Sequence, residues 1–209
     1  MATKNIELIQ APGRTHYVGD GFRVHNFIPG NSNLSMQRMD PFIMMDYNSP
    51  FYFPPTDKPR GVGVHPHRGF ETVTIAYKGK VAHHDSSGNS GVIGEGDVQW
   101  MTAASGILHK EYHEENFSRK GGKFQMVQLW VNLPAKDKMT KPGYQAITKA
   151  DIPEVKLDAG SVRVIAGKAH GLVDADNQPS QSAGGAASTF TPMNVWDVRI
   201  AAGKTMSLP

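Results

Sequence analysis

Between Gly61 and Leu133 the chain repeats one pattern, a short β-branched or aromatic run closed by glycine. Glu71-Thr-Val-Thr-Ile-Ala-Tyr77 ends at a Lys78-Gly79 turn, and Lys80-Val-Ala-His-His-Asp85 ends at the turn-rich stretch Ser86–Gly91. Gly94-Glu-Gly-Asp97 then turns into Val98-Gln-Trp-Met-Thr102. Gly106-Ile-Leu-His-Lys-Glu-Tyr-His113 and Phe124-Gln-Met-Val-Gln-Leu-Trp-Val-Asn-Leu133 complete the series. Strands recurring at intervals of about ten residues, punctuated by turn residues, predict an all-β sandwich or barrel. No apolar period of helical spacing lasts for three turns here, which argues against a helical bundle.

The flanks carry the same signal more weakly. Gly21–Ile28 and Phe42–Tyr47 fit strands, and Pro50, Pro54, Pro55 and Pro59 mark a loop in which neither helix nor central strand is expected. From Pro134 to Ile152 the chain is polar and reads as a connection. Ser161–Ala166 and Asn194–Ala201 look like strands again, separated by the small-residue loop Ser180–Ser188. The expected organisation is a β domain over 1–134, a linker over 135–152 and the start of a second β domain over 153–209 that does not finish.

Composition narrows the chemistry. Cysteine is absent, so disulfides, thiolate metal sites and thiol nucleophiles are excluded, and any metal must take imidazole and oxygen ligands. No run of eighteen apolar residues occurs, and the first residues lack a signal-peptide core, so no membrane association and a cytoplasmic location are expected. The net charge of +3 is spread out; Arg119, Lys120 and Lys123, then Lys136, Lys138 and Lys141, form only loose groups. Without a denser stripe, direct nucleic-acid binding is not expected.

The chemistry concentrates in two short motifs. His65-Pro66-His67 places two imidazoles two residues apart, which in a strand point to one face. His109-Lys110-Glu111 repeats the spacing with a carboxylate in second place. On neighbouring strands the two pairs would offer three nitrogens and one oxygen to a transition metal, leaving positions open for a substrate or dioxygen. Strand parity alone leaves Glu71, four residues after His67, as an alternative carboxylate.

The order His65-Pro-His-Arg-Gly-Phe-Glu71, a glycine turn, then Gly106-Ile-Leu-His109 resembles the two-part cupin signature. Together with Gly96-Asp-Val-Gln-Trp-Met-Thr-Ala103, Gly106-Ile-Leu-His-Lys-Glu111 and Gln128-Leu-Trp-Val-Asn-Leu133, it resembles the pirin family. That resemblance implies two jelly-roll cupin barrels in tandem, with one metal in the first. It assigns the metal to His65, His67, His109 and Glu111, in preference to Glu71. The ion it implies is Fe(II), with Ni, Zn, Cu or Mn as alternatives. It also implies a quercetin 2,3-dioxygenase type of activity, with a flavonol-like substrate, dioxygen, and Glu111 as the catalytic base. The alternative it implies is a non-catalytic, metal-dependent regulator acting through a protein partner.

Other conspicuous residues receive plainer readings. His109 and His113 are four apart, but Lys110 stands where a zincin motif requires glutamate, and the segment is β-patterned. His113 is expected to be exposed or to lie behind the ligands. His83 and His84, just before a turn, are expected at the surface. Trp100, Met101 and Trp130 are expected in the core, with some of them walling a pocket.

Overall fold

The computed structural model describes residues 5–30, 35–174 and 182–208. In chain order its first strands are β1 (His16–Val18), β2 (Phe22–Ile28), β3 (Phe42–Phe53), β4 (Gly61–His67), β5 (Phe70–Lys78) and β6 (Val81–Asp85). Then follow β7 (Ser90–Ile93), β8 (Val98–Thr102), β9 (Ile107–His113), β10 (Gly122–Asn132) and β11 (Gly143–Ile147). Beyond them lie β12 (Glu154–Leu157), β13 (Gly160–Ala166), β14 (Lys168–Ala169), β15 (Val173–Asp174), β16 (Ala183–Gly184), β17 (Val195–Ile200) and β18 (Met206–Ser207). Two short helices, α1 (Met36–Met39) and α2 (Glu115–Lys120), interrupt the strands. The all-β expectation holds, and among the described residues no helix is long and apolar enough to cross a membrane.

Two antiparallel sheets make the site. One has seven strands in the order β1-β2-β3-β10-β5-β8-β11; the other has four, β4-β9-β6-β7. An apolar cluster fills one end of the space between them, with Phe22, Val24, Phe53, Phe124 and Met126 meeting Val81 and Ile93. The outer face of the large sheet is covered as well. Val73, Ile75, Trp100, Leu129 and Val131 pack there with Ile152, Ile165, Ala166 and Val195. Each such side chain removed from water contributes about 1.5–3 kcal/mol, so this second layer is a substantial part of what holds the large sheet. A separate sheet, β12-β13-β17, has its own cluster around Val155, Val162, Val164 and Leu172.

The structure adds strands at two places where the sequence showed none. β3 runs on through Pro50 to Phe53, where it pairs with β10, while its ladder with β2 covers Met45–Tyr47. The register with β10 shifts between Phe124 and Met126, where Phe51 and Asn48 are their partners, so Ser49 and Pro50 face the single residue Gln125. A bulge leaves a residue out of the ladder, and that is where a proline without an N–H is tolerated. The polar stretch read as a connection also contains β11, which pairs with β8 from Gly143↔Thr102 to Ile147↔Val98. It is the edge strand of the large sheet and puts Ile147 into the outer core. Of the loop expected over 180–188, residues 180 and 181 lie outside the described residues; Ala183–Gly184 pairs with β14.

Candidate metal centre

Strand β9 is patterned inside out. Ile107, His109, Glu111 and His113 are buried while Leu108 and Lys110 are exposed, so the inward face carries the polar groups. His65 on β4 is the direct cross-strand partner of His109, and His67 is the partner of Ile107. Ladder pairs share a face, so the three imidazoles converge. Their ligand-capable nitrogens lie within 4.8 Å of one another. Ring centroids are 4.6 Å apart for His65 and His67, 5.4 Å for His65 and His109, and 5.6 Å for His67 and His109.

The hydrogen bonds leave these rings free to coordinate. Nδ1 of His65 lies 2.7 Å from the carbonyl oxygen of Gly63, to which it can only donate, so the lone pair falls on Nε2. His109 is 1% exposed and neither of its ring nitrogens has a hydrogen-bond partner among the described residues. Burial, helped by the neighbouring imidazoles, holds His67 and His109 down to about 4. Both rings are therefore neutral at physiological pH, the state in which imidazole binds a metal.

Glu111 lies outside the three-histidine group and is fixed from across the cavity. Gln128 Nε2 donates to its Oε2 at 2.9 Å, and Gln99 Nε2 and Thr74 Oγ1 donate to its Oε1 at 3.1 and 3.4 Å. The donors stand on β10, β8 and β5 of the facing sheet, and all three are neutral. A buried carboxylate with only neutral donors wants a cation nearby. Three converging imidazole nitrogens suit a divalent transition metal, so the residues present fit such an ion.

Glu71 does not share this space. The chain passes from β4 to β5 through Arg68-Gly69, with Gly69 at φ 80, and so changes sheets between His67 and Glu71. Strand parity does not carry across that turn. Glu71 pairs with Thr102 in the ladder and accepts its hydroxyl hydrogen bond at 2.7 Å. It shares the outer face of the large sheet with Val73 and Trp100, and burial raises its pKa.

His65 and His67 open onto a cavity of about 560 Å³. Val24, Met44, Val62, Phe70, Met126 and Trp130 give it apolar walls, with Asp46, Glu111 and Gln128 as polar points. Phe70 and Trp130 are stacked at 4.5 Å, and the Trp130 ring lies 5.4 Å from that of His67. Trp100 and Met101 point to opposite faces of β8. Trp100 joins the outer core, whereas Met101 packs with Ala103, Ile107 and Tyr144.

Two histidine expectations are corrected. His113 is neither exposed nor beside the ligands. Its ring is 1% exposed, bonded through Nε2 to the Gly21 carbonyl at 2.8 Å and enclosed by Phe22, Phe53, Phe117 and Phe124. His83 is buried, stacked on Tyr144 at 4.4 Å, because inward parity on β6 places it opposite Glu111. His84, one residue on, is exposed as expected and meets the Tyr112 hydroxyl at 3.0 Å. The residues that sequence reading missed are Thr74, Gln99 and Gln128. Their signal was an amide or hydroxyl side chain on strands rich in apolar residues.

The pirin family model matches residues 21–131, which hold both histidine motifs. A Pseudomonas aeruginosa protein named "Putative quercetin 2,3-dioxygenase PA2418" is 52% identical over 207 residues, 98% of this chain and 68% of the relative. A pirin-like protein of Solanum lycopersicum is 42% identical over 158 residues, covering 76% of this chain and 50% of its own length. The crystal structure of a quercetin 2,3-dioxygenase from Acinetobacter baumannii superposes with a TM-score of 0.76 at 51% identity, covering 90% of this chain and 61% of that one. The chain thus spans between half and about two thirds of these relatives. With the matched region spanning the sheets and the histidine cluster described above, the chain belongs to the pirin family.

Proposed function

We propose that His65, His67, His109 and Glu111 hold one divalent transition metal, Fe(II) being the best fit, and that the cavity performs quercetin 2,3-dioxygenase chemistry on a flavonol with dioxygen. The observation that carries this reading is the convergence of three histidines, two of which, His65 and His67, line an apolar cavity. When bound, the metal would supply a Lewis acid that makes the flavonol 3-hydroxyl more acidic and a redox centre for reaction with dioxygen.

The chain's own residues do the rest. The walls formed by Phe70, Trp130, Met44 and Met126 take up a planar aromatic and exclude water. Glu111 accepts the hydroxyl proton on a carboxylate oxygen, and Gln128 on Oε2 with Gln99 and Thr74 on Oε1 keep the carboxylate aimed. The names of the Pseudomonas and Acinetobacter relatives support this assignment. The reading extends to organisation, with 1–134 as the metal-binding unit and 135–152, whose strand β11 adds to that unit's large sheet, joining it to a second unit over 153–209. The separate sheet β12-β13-β17 and its own apolar cluster support that division.

The experiment is elemental analysis and aerobic flavonol turnover on wild type, His65→Ala and Glu111→Ala. About one equivalent of metal, reduced in both variants with turnover following it, is the expected result. Stoichiometric metal without turnover on any flavonol would replace the enzyme with a metal-dependent regulator. Absence of bound metal after reconstitution would end the proposal.

A further inference from the structure

One row of polar side chains crosses the cavity side of the large sheet. Asn26 pairs with Asp46, Asp46 with Gln128, Gln128 with Thr74 and Thr74 with Gln99, each directly across the ladder. Residues so paired share a face, and the row spans β2, β3, β10, β5 and β8. Three of its members serve Glu111. The other two do not, and they form a unit of their own.

Asn26 is held in one orientation. Its Oδ1 accepts from the Gly30 N–H at 2.9 Å, and its Nδ2 donates to the Ile28 carbonyl at 2.8 Å and to Asp46 Oδ1 at 2.7 Å. Asp46 is thereby fixed through one oxygen. Its Oδ2 has no hydrogen-bond partner among the described residues, and the side chain lines the same cavity as His65, His67 and Glu111. Burial raises its pKa, as expected for a carboxyl group set in an apolar wall beside Met44 and Val24. Neighbouring strands lie about 4.8 Å apart, so Asp46 stands roughly one to two strand spacings from the Glu111 carboxylate. That is about the reach across one or two rings of a planar aromatic.

We propose that Asp46 is the second polar anchor of the cavity. It accepts a hydrogen bond from a phenolic hydroxyl of the aromatic ligand whose opposite edge faces His65, His67 and His109. The inference rests on the flavonol reading above and adds a selection rule to it. Planar aromatics with a second hydroxyl remote from the metal-facing edge are preferred over those with one hydroxyl.

The test is anaerobic calorimetric titration of metal-loaded protein with quercetin and with 3-hydroxyflavone, which lacks the remote hydroxyls. Wild type is expected to bind quercetin roughly 10-fold tighter, the scale of one hydrogen bond to a charged acceptor. Asp46→Ala is expected to bring the ratio close to one, with metal content unchanged. Asp46→Asn keeps the volume of the side chain and should give an intermediate ratio; it decides the matter if Asp46→Ala melts early. An unaltered ratio in the folded variant, equal binding of the two ligands by wild type, or binding of neither, overturns the inference. Anaerobic binding separates it from the activity. A preference lost in Asp46→Ala without aerobic turnover keeps Asp46 and removes the dioxygenase, whereas turnover with an unaltered preference does the reverse.

Discussion

Gln128 on β10 donates to Glu111 on β9 at 2.9 Å and so ties the two sheets together across the cavity. Gln128→Leu removes that donor and leaves a buried acceptor oxygen uncompensated. Partners behind a metal ligand typically matter by 10–100-fold. Metal affinity or turnover should fall by about that factor, measured by competition with a chromophoric chelator. An unchanged affinity and rate would show that the amide has no part in aiming Glu111.

Removing a histidine should have a larger effect. His109→Ala takes away a ring whose nitrogens have no partner among the described residues, so no hydrogen bond is lost and the metal-free protein should fold. Metal affinity should drop by more than about 100-fold, beyond what outer partners contribute. Retention of one equivalent after dialysis against chelator would remove His109 from the ligand set.

The two tryptophans on the large sheet should behave differently. Trp100 is fully buried in the outer core, so Trp100→Phe should cost about 1–3 kcal/mol in urea unfolding while metal binding is preserved. Trp130 lines the cavity, stacked on Phe70. Trp130→Ala should keep its metal and weaken flavonol binding by about threefold to tenfold. Equal effects of the two on ligand affinity would contradict the assignment of faces.

Acid should destabilise the metal-free protein through its buried histidines. Burial lowers His113 from 6.5 to about 4. Between those values the unfolded chain holds a proton that the folded one does not, so stability present above 6.5 is lost as pH falls toward 4. His67, His83 and His109 are lowered to about 4 as well and steepen the same slope. His113→Phe should flatten the dependence by a share of order 1–3 kcal/mol between pH 7 and pH 4.5, read from urea midpoints. A parallel profile in the variant would show that His113 titrates normally.

What could be read from the chain alone was local. The strand-and-glycine rhythm specified the all-β class, because β-branched residues and positive-φ turns act over a few residues. The spacing of His65 with His67, and of His109 with Glu111, specified shared faces, because pleating has a period of two. Those two signals led to a candidate site before any strand had a partner.

Only the tertiary structure decided which face was which. Thr72 and Thr74 look like the solvent side of β5 and Val73 and Ile75 like its core side, yet both sides are buried. The apolar side packs against Ile165 and Val195 from far along the chain, and the polar side faces Glu111. The same uncertainty left Glu71 open as an alternative to Glu111, because parity cannot register that Gly69 moves the chain into the other sheet. It also put His83 at the surface, although β6 pairs with β9 and turns His83 inward. Alternation along a strand says which residues share a side. What lies against that side is set by contacts with segments tens of residues away, and no local pattern carries that information.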